Sequence, residues 1–414
     1  MAVKPKLALI PSGYKAGKVY SVLPSDGSGD FDNFSRSNQT ATRVNKDGLI
    51  ETVGSNIPRL NYPMIDGVVS GCPSLLLEPS VTNYINNSQT SASIEYNNVN
   101  SITENSGISP DGTLNAIKID ADANDIADSY RIVGSGAIAT FSIFAKSGSR
   151  DLIGLNPSST GSTSLAVFNL SNGEITYTSG SQYIDSSIEN YGNGWYRCSI
   201  TFTTGTGSYI NRIRFYDTGT YEIYGMQLEN SSFMTSYIPT NGSSVTRSAE
   251  TCNGAGDADT FNDSEGVLFA EISALANDGT IREIALSNGG AANRIEIRYS
   301  GSNIQGIVRF GASVIVLTYN LADTTEFTKV ALKYKSGDYS FWVNGLELQV
   351  DTTTGTPTGL SEFAFDDGNG NDDFYGNTKQ IQYFDTALSD TDLETLTSWT
   401  SFNEMAQAQL YTIQ

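Results

Sequence analysis

The chain contains no histidine. Ser–His–Asp triads, histidine-ligated metals and the side chain that ordinarily moves protons near neutral pH are therefore excluded. Cysteine is almost as scarce. Cys72, Cys198 and Cys252 are an odd number without CxxC spacing, so a secreted disulfide framework or a zinc knuckle does not fit. Buried free thiols in a chain made in a reducing cytoplasm do fit. Charged residues make up only 17% and lean one way, with 45 Asp and Glu against 24 Lys and Arg. A net charge of −21 repels phosphate backbones and anionic headgroups, so neither nucleic acid nor a membrane is an expected partner. No apolar run approaches the ~20 residues of a membrane helix. Residues 1–10 are too short and too interrupted to read as a signal peptide. There is no short fixed-period repeat, and no heptad run long enough for a coiled-coil shaft.

What fills the chain instead is 40 Gly, 22 Tyr and 18 Phe among many Ser, Thr and Asn, in 414 residues. This is the composition of short strands joined by many turns. The expected fold is all-β, with two jelly-roll β-sandwiches, an N-terminal extended or hairpin segment and one short C-terminal helix. Residues 1–88 form the N-terminal segment. Its hairpin runs over Ala41–Val53 around Asp47-Gly48. Pro58, Pro63, Pro73 and Pro79 exclude a central strand or long helix over Asn56–Pro79. The alternative for this region is an N-terminal strand pair of the next domain.

Residues 89–248 read as the first sandwich. Its strands include Ala116–Asp120, Thr140–Phe144, Ser164–Leu170, Glu174–Thr178, Trp195–Phe202 and Arg212–Tyr216. The last of these turns Ile213 and Phe215 inward and both arginines outward. The Gly-, Asp- and Asn-rich residues 249–262 read as a linker. Residues 263–399 form the second sandwich, with strict alternation over Arg294–Tyr299 and Lys329–Lys335 and a hairpin at Asn344-Gly345. Ser389 as N-cap and Leu388 with Leu393 as a hydrophobic staple start the helix. Residues 400–414 are a polar tail.

Candidate chemistry is sparse. Asp366, Asp367, Asn369, Asn371, Asp372 and Asp373, interleaved with Gly368 and Gly370, form an oxygen-rich loop of the kind that wraps Ca²⁺. The loop of Asp120, Asp122, Asn124 and Asp128 lacks the glycine and the terminal glutamate such a site needs. Trp342 alternates out of phase with Tyr339, Phe341 and Val343. It lies on the opposite sheet face, as a sugar-stacking platform or against a neighbouring domain or subunit. Phe374 and Tyr375 beside the acidic loop are further glycan-site candidates. Trp195 reads as core. Glu296, between two arginines, reads as a solvated cross-strand partner, which leaves no carboxylate pair for glycoside cleavage. No enzyme activity and no required cofactor are expected.

Three stretches carry a resemblance. One runs through Ala41–Glu51, Asn56–Tyr62, Cys72–Pro79 and Thr82-Asn83. The second is Gly194–Arg197. The third is Tyr221–Glu229 with Thr235–Thr240 and Val245–Arg247. Together they resemble the concanavalin-A-like, carbohydrate-binding-module-like virion proteins of tailed phages. Tyr339–Gly345 and Tyr383–Leu393 resemble laminin-G-like domains. The resemblance implies a bacteriophage virion protein of fibre or spike type, made in the host bacterial cytoplasm and displayed on the virion surface. It implies contacts with capsid or tail proteins through the N-terminal region and binding of a host-surface glycan. It also implies a homo-oligomer, with a trimer favoured and Leu75–Leu77 as a subunit contact. The alternative is a capsid decoration or head-fibre protein with a structural role and no ligand.

Overall fold

The computed structural model describes residues 4–399 apart from 12–18, 20, 25–27, 32, 39, 132–135, 160–161 and 206–208. The polar tail 400–414 lies outside the described residues. The fold is all-β, built from two sandwiches. No helix among the described residues is long and apolar enough to cross a membrane.

In the first sandwich, one sheet runs Tyr96–Asn97, Ile126–Arg131, Tyr209–Phe215, Leu152–Leu155, Leu165–Asn169, Glu174–Ser179. The facing sheet runs Ser101–Thr103, Ile117–Ala121, Gly219–Glu229, Ile138–Ser147, Trp195–Thr203, Tyr183–Asn190. Alternation builds the core: Ile213 and Phe215 from one sheet meet Phe141, Ile143, Ile200 and Phe202 from the other, all buried. Trp195 is buried, and its indole Nε1 donates to the Ile108 carbonyl at 3.0 Å, which satisfies its one polar atom.

The second sandwich pairs a sheet of Asn253–Ala255, Glu362–Ala364, Arg282–Ser287, Asn293–Ser300, Asn303–Phe310 and Ser313–Asn320 with a larger one. The larger sheet contains Ser21–Leu23, Leu7–Leu9, Gly376–Phe384, Glu265–Ala274, Thr328–Lys335, Tyr339–Val343 and Leu346–Asp351. Asn344 and Gly345 both have positive φ, 49° and 85°, which is what a two-residue hairpin turn matching the strand twist requires. The helix Asp390–Ser398 starts where expected. Ser389 Oγ accepts from the Asp392 N–H and donates to its carboxylate, at 3.3 and 2.6 Å, and Leu388 and Leu393 are buried together.

The chain's first 88 residues are pinned against both sandwiches, and Ser74–Leu77, within the proline-punctuated stretch expected to hold no central strand, is paired on both sides, with Arg59–Asn61 and with Gly376–Thr378. Leu7–Leu9 pairs with Ile381–Tyr383, and Ser74–Leu77 pairs with Gly376–Thr378. Both N-terminal strands thus line one side of a single strand of the second sandwich. Val81–Asn83 pairs instead with Val245–Arg247 at the end of the first sandwich. Leu75, Leu76 and Leu77 are buried within the chain and are not free for a subunit contact. Residues 249–262 are likewise no loose linker. Asn253–Ala255 is a sheet strand, and Cys252 and Phe261 belong to the second core. Composition suggested a linker, but a glycine-rich stretch can also be an edge strand whose few apolar side chains are all used.

Arg59, Glu78 and Arg247 of the motif stretches meet in a buried ionic knot. Arg59 binds Glu78 at 2.7 Å and also Glu250, Arg36 binds Glu250 at 2.6 Å, and Arg247 lies 3.0 Å from Glu78. Arg36, Arg59, Arg247, Glu78 and Glu250 are all buried. Burial opposes ionisation of Glu78. Arg247 and Arg59, with hydrogen bonds from Ser236, outweigh it and pull the carboxyl down to about 2. The knot fastens the first 88 residues to the segment that leaves the first sandwich.

Candidate functional site

The structure separates the residues that sequence patterning put forward. Trp342 is on the outer side of its sheet, as expected, but only 6% exposed. It packs in a cluster with Phe269, Leu388, Leu393 and Leu396, and its Nε1 donates to Ser340 Oγ at 3.0 Å. The C-terminal helix covers it, so it presents no ring face to a sugar. Phe374 is 1% exposed, against Tyr299 and Phe365. Tyr375 is half-buried and donates to Asp373 at 2.8 Å.

The acidic loop turns its first two carboxylates toward the protein. Asp366 accepts from the Gly368 N–H at 2.6 Å and from Asn253 Nδ2 at 2.7 Å. Asp367 accepts from the Asn369 and Asn371 N–H groups, both at 2.9 Å, and pairs with Arg294 at 2.9 Å. Asn369, Asn371 and Asp372 point to solvent. Among the described residues no three acidic or thiol side chains converge as a metal site.

This loop lies over the outer face of the strands Arg282–Ser287 and Asn293–Ser300. The Gly368 carbonyl accepts from Ser287 Oγ at 3.1 Å, and the Asp372 carbonyl accepts from the Glu283 N–H at 2.9 Å. Glu296, expected in solvent, is 0% exposed. It is paired with Arg294 and, at 3.2 Å, with Arg309. Burial first, then the nearby Glu283, push its carboxyl up to about 7 against the two arginines.

The corresponding face of the first sandwich is open. Tyr96 stands opposite Asp128 and, two residues on, Tyr130 points the same way. Arg212 is paired across the ladder with Asp128, and Arg214 with Ile126. Gly154 follows opposite Arg214, then Val167, then Tyr177 on the edge strand. Tyr96, Tyr130 and Tyr177 are 51%, 40% and 57% exposed, enough for each ring to take a ligand. Asp128 fixes Arg212 bidentately, with Nε–Oδ1 2.8 Å and Nη2–Oδ2 2.7 Å.

Tyr216 packs against Gly154. A Cβ there would meet the ring at 2.9 Å, so a larger residue would displace the ring. Burial pushes the Tyr216 phenol up, against the pull of Arg214 beside it. Five strand intervals separate the Tyr96 and Tyr177 strands, about 24 Å at ~4.8 Å each. The face thus offers aromatic rings at both ends and a guanidinium pair between them. Flat rings suit the apolar faces of pyranoses, and arginine N–H groups suit their hydroxyls.

The outward arginines were legible in the Arg212–Tyr216 alternation. The tyrosines come from three other strands, so only register brought them together.

No protein-family model matches the chain, and no curated protein matches it. Solved structures do. The carbohydrate-binding module CBM40 of the Ruminococcus gnavus IT-sialidase, bound to α2,3-sialyllactose, is 16% identical. It covers 35% of this chain and 93% of its own, at a TM-score of 0.30. Mouse laminin α1 domains LG4-5 are 8% identical, covering 62% of this chain and 86% of their own, at a TM-score of 0.24. Neither bears on what this chain binds.

Proposed function

We propose that this protein is a carbohydrate-binding component of a phage particle, of fibre or spike type, that holds a host-surface glycan on the tyrosine face of its first sandwich. The observation that carries the binding reading is the row of exposed Tyr96, Tyr130 and Tyr177 around the fixed Arg212–Asp128 pair. Exposed amphipathic rings sharing one sheet face give a ligand's apolar surface somewhere to be covered. The virion assignment rests on the motif pattern that builds the buried knot of Arg59, Glu78 and Arg247. In this reading the protein binds without cleaving, needs no metal, is a trimer, and meets capsid or tail proteins on the surfaces that its first 88 residues leave exposed.

A glycan array of bacterial envelope polysaccharides, probed with the full chain, tests the proposal. Binding weakens by about tenfold (~1.4 kcal/mol) in Tyr177→Ala and further in Tyr96→Ala/Tyr177→Ala, and it survives EDTA. An array with no bound polysaccharide, or binding indifferent to both substitutions, overturns it in favour of a decoration protein without a ligand. Release of oligosaccharide from host capsule would contradict binding without cleavage.

A further inference from the structure

A second opening lies far from the tyrosine face, where the first sandwich, the chain's early residues and the second sandwich meet. A smaller part of about 210 Å³ and a larger part of about 550 Å³ share Val44, Asn61, Glu189, Tyr191 and Asn377 as walls, so they form one cleft.

Arg197 lines the smaller part. The residue is 3% exposed. Its guanidinium lies over the Phe144 ring at 5.1 Å, one Nη donates to Ser142 Oγ at 3.3 Å, and its Nε is buried with no protein partner. A buried donor left unmade costs about 1–3 kcal/mol, more on a charged group, so a partner for it is expected.

Directly across the ladder stands Glu189, which is open to the cleft. Tyr191 is held edge-on to Phe144 at 4.9 Å and gives the cleft an aromatic side. The opposite wall carries Asn377, Glu326 and Lys379, whose ammonium sits 3.9 Å over the Phe327 ring.

We infer that this cleft is a second carbohydrate site, taking an uncharged hexose unit at the end of an oligosaccharide. The cleft lining carries Arg43, Arg197 and Lys379 against Glu78, Glu189 and Glu326, so no net charge awaits an ion, and a chain of net charge −21 repels anionic sugars at a distance. What remains is a donor and an acceptor facing each other beside an aromatic ring, with amides on the far side. That set recognises neighbouring hydroxyls on a pyranose. Its residues are distinct from those of the tyrosine face, so either site can fail without the other.

Cys72 supplies the readout. It lines the cleft and is exposed, whereas Cys198 and Cys252 are buried. The full chain is treated with N-ethylmaleimide, and alkylation of Cys72 is followed by intact mass with glucose, galactose, mannose or N-acetylglucosamine present, and sorbitol as control. At least one sugar slows alkylation, about tenfold at roughly ten times its dissociation constant. Sorbitol does not. Glu189→Ala abolishes the protection, and Tyr177→Ala leaves it unchanged. Protection by none of the four sugars, equal protection by sorbitol, or protection that persists in Glu189→Ala overturns the site. Loss of array binding in Tyr177→Ala with Cys72 protection intact separates the two sites.

Discussion

The two sandwiches present comparable sheet faces to the outside and treat them in opposite ways. On the first, Tyr96, Tyr130 and Tyr177 stand free around a single bidentate Arg212–Asp128 pair. On the second, Glu283, Arg294, Glu296 and Arg298 are tied to one another, to Arg309 and to Asp367, beneath a loop that hydrogen-bonds to the strands. The second face has met its own needs and has little left to offer a ligand. The first has left large amphipathic rings without partners. Outward orientation is therefore a statement about the pleat alone, and whether outward means solvent depends on what else the chain lays across the sheet.

The contrast can be broken at several points. The largest effect is expected in Arg294→Ala, which leaves Glu296 and Asp367 short of a buried cation. A loss of about 3–5 kcal/mol is expected in urea denaturation, and a loss below about 1 kcal/mol would mean that the face is solvated after all. Trp342→Ala removes the ring under the helix and costs a similar or slightly smaller amount, about 3–4 kcal/mol, with glycan binding of the folded protein unchanged. Loss of binding at unchanged stability would restore Trp342 as a ligand platform.

The pH dependence is a subtler probe. The folded-state value of Glu296, about 7, lies above its ordinary 4.5. The folded chain thus holds a proton that the unfolded chain releases between those values. This contribution to stability is present below about pH 4.5 and is lost as pH rises through about 7. Calorimetry at about pH 5 and about pH 8 should show a decrease that Glu296→Gln flattens. The smallest effect belongs to the open face: Tyr177→Ala changes stability by less than about 0.5 kcal/mol while weakening glycan binding. A stability loss above about 2 kcal/mol would show Tyr177 to be structural.

Much of the strand pattern could be read in advance. Arg294–Tyr299, Lys329–Lys335 and Trp195–Phe202 alternate with period two because one face of each must leave water, and the structure pairs all three in sheets. The helix start was legible from Ser389 and two leucines, since capping is local chemistry. The same helix covers Trp342 on the outer sheet face where alternation had put it, and which sheet face a helix covers is a long-range choice. The candidate site was less legible. Arg212 and Arg214 were expected outside, but Tyr96, Tyr130 and Tyr177 share their face only through register across six strands. The N-terminal region misled for a related reason: its prolines argued against a central strand over Asn56–Pro79, yet they only bound Ser74–Leu77, which is paired on both sides, with Arg59–Asn61 and with a strand about 300 positions later in the chain.

By itself the sequence determined that this is a histidine-free, acidic, all-β chain with two sandwich-forming regions, because composition, alternation and turn residues act over a few positions and need no partner. Tertiary structure decided which outward residues remain in water, that Arg59 and Glu78 meet Glu250 and Arg247, and that Arg197 and Glu189 face a cleft. Those outcomes depend on strand order and on loops crossing sheets, where a residue's neighbours are set by chain closure over hundreds of positions rather than by its own surroundings in sequence.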